Sequence, residues 1–275
     1  VLDLNLPIER LPGVRYFQGD IRDTELCVES SQGVNTVFHN VAEVPLAKNR
    51  TLFEEVNILG TKNICEAAKA NKVEKFIYTS SSAVYGIPRK NPVLHSDEKN
   101  PIEEYGHAKL EGEFIARQLI SFGIEVKIVR PRTILGSGRL GIFGVLFAWI
   151  ESGMNIFTLG PANGGYQFIH AKDLAAGIIL AADIPGSSDF NLGALEFRSL
   201  HDDLQGLCDY AGSGSQVFAL PESFMRNLIQ LVSRLRLLPF ATYQLQLYSK
   251  PMFFDSALDW AQLGYSPKYS NLEML

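Results

Sequence analysis

The run Lys75-Phe-Ile-Tyr-Thr-Ser-Ser-Ser-Ala-Val-Tyr-Gly86 is apolar at its start and then passes straight into hydroxyls. A short apolar run with no polar face has the form of a strand buried on both sides, as strands are in a parallel sheet covered by helices. Thr36 to Phe38 and Glu125 to Val129 have the same form. They end in His39-Asn-Val-Ala42 and Arg130-Pro-Arg-Thr-Ile-Leu-Gly136. Parallel strands need long crossovers between them. Leu52 to Asn71, with Val56, Leu59, Ile64, Cys65 and Ala68 on or near its inner face, and Tyr105 to Leu119 both read as helices that supply them. Open α/β sheets bind ligands outside the carboxyl ends of their strands. The residues that close these strands are therefore the first candidates for a site.

Bulk properties narrow the function classes. A chain of 275 residues can bury a full core. Its net charge of -5 and the lack of any basic run give no electrostatic support to a nucleic-acid partner. Cys27, Cys65 and Cys208 are too few and too scattered for a disulfide framework or a cysteine-rich metal site, and the five histidines lie at no ligand spacing. No metal is expected. No apolar run reaches the length of a membrane span, although Gly141 to Ile150 and Met225 to Phe240 are apolar enough for surface contacts or deep burial. The expected compartment is the cytoplasm.

Tyr105-Gly-His-Ala-Lys109 carries the chemistry. Asn100 as N-cap, Pro101 at the first helical position and Glu103 as a capping-box acid announce the helix. Four residues apart, the phenol and the ammonium share one helical face. A phenol near pKa 10 is a poor proton carrier at neutral pH, and a fixed cation beside it favours the phenolate. That pairing is one way to build an acid/base catalyst, and a tyrosine and a lysine at this spacing also occur by chance, so the pair alone is a weak signal.

Taken with Lys75–Gly86, Thr36–Ala42 and Gly19-Asp-Ile-Arg-Asp23, and in this order, the pair resembles the extended short-chain dehydrogenase/reductase family of nicotinamide-dependent epimerases, dehydratases and reductases. The resemblance covers most of the chain. It implies a Rossmann-like, doubly wound parallel α/β sheet with a smaller C-terminal substrate lobe. Residues 1–135, joined by about 166–183, would form the dinucleotide-binding domain, and 136–275 mainly the substrate-binding lobe. Val1-Leu2-Asp3-Leu4 reads as the end of a strand tipped by the acid that in this family takes the ribose of NAD. The family's glycine fingerprint lies before such an acid, so a βα unit of about 30 residues is expected upstream.

The resemblance also assigns roles. Counting back from Tyr85-Gly86, Ser81 matches the catalytic hydroxyl, with Tyr105 and Lys109 completing the set, both also assigned to the cofactor and Lys109 holding the nicotinamide ribose. Asp20 and Ile21 would flank the adenine, the less favoured alternative for Asp20 being a helix or turn cap. Asn40, Val41 and Ala42 stand where the family has Leu-Ala-Ala, and Ser80 is assigned to the cofactor with them. Pro131 to Thr133 would pass beside the nicotinamide, with Pro131 and Thr133 touching it. Ser82, Arg132 and Arg139 are assigned to substrate. The two arginines can hold an anion, and either can equally be a solvated charge. Asn57 matches a position that steadies the active-site loops. Ile87 to Asn100 reads as a flexible flap.

The expected cofactor is NAD, the expected partners are a small-molecule substrate and a second copy of the chain, and the expected activity is an epimerase/dehydratase-type oxidoreductase at a carbinol or ketone carbon of a sugar or sugar-nucleotide. Two departures keep alternatives open. Tyr166-Gln167 replaces the Arg-Asp of nucleotide-sugar relatives, which fits a reductase or dehydrogenase of a non-sugar alcohol, of hydroxysteroid or dihydroflavonol type. Ser82-Ala83 replaces the acidic pair of the dehydratases, which ranks dehydration below epimerisation or reduction. A binding protein that keeps the fold without catalysis is the remaining class.

Overall fold

A computed structural model describes residues 1–44, 51–136, 143–159, 162–221 and 250–275. Contacts divide it into two compact units. One is built from Val1–Tyr85, Lys99–Arg130 and Ile178–Phe190, the other from Gly86–Glu98, Pro131–Gly177 and Asn191–Leu275. Arg139 and the apolar run from Met225 to Phe240 lie outside the described residues.

The first unit holds β1 (Leu2–Asp3), β2 (Phe17–Gln18), α1 (Thr24–Ser30), β3 (Thr36–His39), α2 (Thr61–Ala70), β4 (Lys75–Thr79) and α3 (Glu104–Gln118). It also holds most of β5 (Glu125–Pro131) and the start of β9 (Ser188–Leu192). The sheet order is β3-β4-β5-β9, and β3, β4 and β5 run parallel, with Thr36 beside Lys75 and Lys75 beside Glu125. β1 and β2 form a separate parallel ladder. These parallel sheets with their flanking helices are the Rossmann-like α/β arrangement expected. Phe76, Ile77, Tyr78 and Ile128 are fully buried, as runs with no polar face must be. Each such side chain contributes about 1.5–3 kcal/mol through its burial.

The helix before β4 differs from expectation. Phe53–Gly60 is π-helical and only Thr61–Ala70 is α-helical. The wider π winding, with its i→i+5 bonds, shifts the phase of the inner face. Phe53, Asn57 and Gly60 turn inward, and Leu59, expected inside, is 46% exposed. The start of α3 also differs. Glu103, not Asn100, is the N-cap, and its carboxylate accepts from Tyr105 N and Gly106 N at 2.8 Å each. One carboxylate satisfies two of the orphan donors at once, so the helix begins three residues later than Pro101 would have it. Gly112 lets α3 lie on β4, because a Cβ there would meet the ring and hydroxyl of the buried Tyr78.

The second unit contains β6 (Thr133–Leu135), α4 (Phe143–Glu151), β7 (Ile156–Leu159), β8 (Phe168–His170), most of α5 (Ala171–Ala181), α6 (Leu200–Ala211), β10 (Val217–Leu220), α7 (Ala257–Gln262) and α8 (Asn271–Met274). β6 pairs with β8 and β7 with β10, both parallel. Its core gathers Leu135, Phe143, Phe168, Leu204 and Val217. Asp173 is a structural anchor. Its carboxylate accepts from Tyr265 Oη at 2.8 Å and from the backbone of Lys268 and Tyr269 at 3.0 and 3.2 Å.

The segment read as a free flap is pinned. Asn91 exchanges hydrogen bonds with Pro251 O and Phe253 N, Val93 N donates to Phe253 O, and His95 Nε2 lies 2.9 Å from Asp259 Oδ2. The amide of Asn91 reproduces the pairing of a strand, a bond set that a polar, proline-marked sequence does not advertise.

Candidate active site

In the first unit the β3 and β4 ends and the first two turns of α3 bring together most of the expected residues. Tyr105 is half-buried, and its ring meets Phe53 edge-on at 6.3 Å. Lys109 is 2% exposed, with Nζ donating to Thr79 O at 2.8 Å and lying 4.9 Å from the centre of the Tyr78 ring. The ammonium is thus fixed from below by a carbonyl and an aromatic face, on the helical face it shares with Tyr105. Ser81, half-buried, accepts from Ala83 N at 3.1 Å. That bond holds the oxygen and leaves the hydroxyl proton to donate. Ser80 is turned inward, 2% exposed; its hydroxyl donates to Glu113 Oε1 at 2.6 Å and its backbone N–H to Val129 O at 2.7 Å. Ser82 is buried.

Asn40 is the departure from the family pattern with a visible partner. Its Oδ1 accepts from Thr79 Oγ1 at 2.5 Å, tying the β3 and β4 ends together. Val41 and Ala42 follow, both half-buried. Asn57 bonds to the chain just after β3. Its amide exchanges bonds with Glu43 N and O at 2.7 and 3.0 Å and holds the loop after β3. His39 packs at the strand end, 2% exposed, with Nε2 2.8 Å from Thr61 Oγ1. Burial, with Lys109 adding to it, pushes its pKa down to about 3, so the ring is neutral at any working pH.

Asp3 is exposed at the tip of β1, with Oδ1 accepting from Asn5 N at 2.9 Å. Asp20 shows the turn-cap geometry. Arg22 donates to it from its backbone at 2.9 Å and from Nε and Nη2 at 3.0 and 2.7 Å, and its pKa is lowered chiefly by the Arg22 side chain. Ile21 is 5% exposed, with its side chain in the core.

Glu113 and Arg130 did not figure among the expected site residues, although both are buried charges next to it. The signal was present. Glu113 falls four residues after Lys109 and eight after Tyr105, on the same face of α3.

In the second unit Pro131 is buried and Thr133 half-buried, with Thr133 Oγ1 3.0 Å from Tyr166 Oη. Arg132 is 4% exposed, and its guanidinium carbon lies 5.0 Å from the Tyr166 ring centre and 5.9 Å from that of Phe254. Gln167 is buried, donating to Ala194 O at 2.6 Å and accepting from Phe254 N at 2.9 Å. Arg132 is therefore enclosed between aromatic rings, a setting its planar guanidinium suits.

Comparisons with known proteins identify the family. The chain is 42% identical over 276 residues to the uncharacterized protein y4nG of Sinorhizobium fredii, covering 100% of this chain and 70% of that one. It is 30% identical over 197 residues to the human sterol-4-alpha-carboxylate 3-dehydrogenase, decarboxylating, covering 70% of this chain and 52% of the relative. The chain therefore spans about half the length of that sterol dehydrogenase. Among solved structures, UDP-N-acetylglucosamine 4-epimerase from Bacillus cereus superposes with a TM-score of 0.76 at 18% identity, over 99% of this chain and 86% of that one. UDP-glucuronic acid 4-epimerase from Bacillus cereus in complex with NAD gives 0.75 at 23%, over 94% and 78%. At these identities the structural likeness is one of fold. The family model for the NAD dependent epimerase/dehydratase family matches residues 5–193, and to that family the chain belongs.

Proposed function

We propose that the protein is an NAD-dependent oxidoreductase of the epimerase/dehydratase type, acting on a carbinol or ketone carbon. The observation that carries this reading is the set at the carboxyl edge of β4, where Ser81 keeps a proton to donate, Tyr105 stands half-buried and Lys109 is locked on the face of α3 that carries Tyr105. The donor set fits a dinucleotide. Asp3 has an oxygen left for a ribose diol, Asn40, Val41 and Ala42 border the edge, and Lys109 lies one turn from the phenol. When bound, NAD supplies a two-electron acceptor for the carbinol carbon. The chain's own work is to hold and move the proton. The Ser81 hydroxyl orients the substrate oxygen, the Tyr105 Oη takes its proton, and the Lys109 ammonium favours the phenolate that makes this possible. We assign the cofactor role mainly to the first unit and the substrate role mainly to the second.

A sugar or sugar-nucleotide alcohol is the first substrate reading, in line with the names of the structural neighbours. The second unit favours the alternative of a non-sugar alcohol, of the hydroxysteroid type. Tyr166 and Gln167 stand where nucleotide-sugar relatives have Arg-Asp, and both are buried in bonds to Thr133, Ala194 and Phe254. The test runs UDP-glucose and a 3β-hydroxysteroid side by side with NAD, read as net NADH and, for UDP-glucose, also as its C4 epimer, which forms with NAD regenerated. Formation of neither NADH nor epimer from either substrate would count against the reading.

Two finer points belong to the same proposal. Asp3 prefers the two ribose hydroxyls of NAD and repels a 2′-phosphate, so NAD should bind more tightly than NADP. Measured dissociation constants decide this, and tighter NADP binding would mean that Asp3 does not hold the ribose. The second point is a cytoplasmic homodimer pairing through Leu52–Asn71 and α3, supported by Leu59 and Phe114, 46% and 55% exposed on these segments, and by three cysteines that are all free and buried. Among the described residues no helix is long and apolar enough to cross a membrane. Light scattering at micromolar concentration should give the mass of two chains, and a single-chain mass would refute the pairing.

A further inference from the structure

Tyr105, Lys109 and Glu113 are spaced at i, i+4 and i+8 along α3, so phenol, ammonium and carboxylate lie on one face. Glu113 is 1% exposed. Its Oε1 accepts from Ser80 Oγ at 2.6 Å and from Arg130 Nε at 2.7 Å, and its Oε2 from Arg130 Nη2 at 2.6 Å. Arg130 is fully buried, and its Nη2 also donates to Asp189 Oδ2 at 2.7 Å. Asp189 in turn accepts from Arg117 Nη2 at 2.7 and 2.6 Å. The clip joins α3, the tip of β4, β5 and β9.

Its attachment to β4 falls at an informative place. Thr79 and Ser80 are consecutive, and both are held by α3, Thr79 through its carbonyl by Lys109 and Ser80 through its hydroxyl by Glu113. Ser81 is the next residue. Stability alone does not explain a charged clip here, since a buried ion pair seldom repays its desolvation and apolar groups of the same volume are often as stable or more so. A forked guanidinium–carboxylate pair does fix distance and angle in a way apolar contacts do not.

We propose that Glu113 and Arg130 are positioning residues for the active site, locking the face of α3 that carries Tyr105 and Lys109 onto the strand tip that carries Ser81, with the Ser80 hydroxyl as the link. This rests on the reading of Ser81, Tyr105 and Lys109 as the acid/base set. Glu113 and Arg130 act through Ser80 and the helix, and the effect is on alignment, where a displacement of about 1 Å costs about 10²-fold in rate.

Two variants separate positioning from support. Ser80→Ala deletes one hydrogen bond and leaves the ion pair, and Glu113→Leu combined with Arg130→Met exchanges the ions for apolar groups. Each is compared with wild type in melting temperature, NAD dissociation constant, KM and kcat, using UDP-glucose or the 3β-hydroxysteroid, whichever wild type turns over. Ser80→Ala should lose about tenfold or more in kcat with KM and melting temperature near wild type, and Ser80→Thr, which keeps the hydroxyl, should recover most of it. The double variant should melt close to wild type and still be slow. Wild-type kcat in Ser80→Ala, or in a double variant that melts normally, overturns the proposal, and if the double variant does not fold Ser80→Ala decides alone. Tyr105→Phe, assayed alongside, tells the two readings apart. Normal turnover there removes the acid/base set and this proposal with it, whereas slow Tyr105→Phe with normal Ser80→Ala removes only the positioning role.

Discussion

Tyr105→Phe is expected to lower turnover by about 10²-fold or more, the range for loss of a general acid/base, and to leave NAD affinity close to that of wild type. The substitution keeps the ring that meets Phe53 edge-on at 6.3 Å and removes only the hydroxyl, so packing is preserved while the proton path is lost. Lys109→Ala should behave differently. Its Nζ is fixed by Thr79 O at 2.8 Å on the helical face of Tyr105, and in our reading one ammonium serves both the phenol and the nicotinamide ribose. Turnover and NAD affinity should therefore fall together. Steady-state kinetics and NAD titration of the two variants check this, and near-normal turnover in Tyr105→Phe would take the phenol out of the mechanism.

How much of this was legible in the sequence depended on whether the signal was local. Buried strands such as Lys75–Thr79 and Thr36–His39 advertise themselves by apolar runs that only a parallel sheet can cover, and the structure has them in parallel register. Tyr105 and Lys109 were equally legible, because helical spacing alone puts them on one face. What escaped was non-local. The π winding of Phe53–Gly60 leaves no clear mark in an amphipathic pattern, so Leu59 was placed on the wrong face. Glu103 displaced Asn100 as the cap because either side chain can serve, and only the fold decides which reaches the orphan amides. Asn40 offered no partner in sequence, since Thr79 lies 39 residues away. The burial of Arg130 also depends on distant residues. Glu113 is 17 residues away and Asp189 59, and without them an arginine at a strand end reads as a solvated charge.

Those partners make Arg130→Ala the largest stability loss we expect, about 3–5 kcal/mol, the usual cost of breaking a buried pair by removing one side. Glu113 would be left 1% exposed with the Ser80 hydroxyl and a long ion pair to Arg117 at 3.9 Å, and Asp189 with Arg117. Acid should reveal the same network. Burial tends to raise the Asp189 carboxyl, but Arg130 beside it and the Arg117 fork outweigh this and hold it below its ordinary 3.8. A carboxyl whose folded pKa is depressed binds its proton more readily in the unfolded chain. Its stabilisation is therefore present above the unfolded value and is lost as pH falls through the lower folded one. Urea unfolding at neutral pH and again near about pH 3 should show wild type losing this share in acid, and Arg130→Ala, having already lost the part Arg130 supplies, should fall less. A variant within about 1 kcal/mol of wild type at neutral pH would show that the buried arginine is not the keystone of the clip.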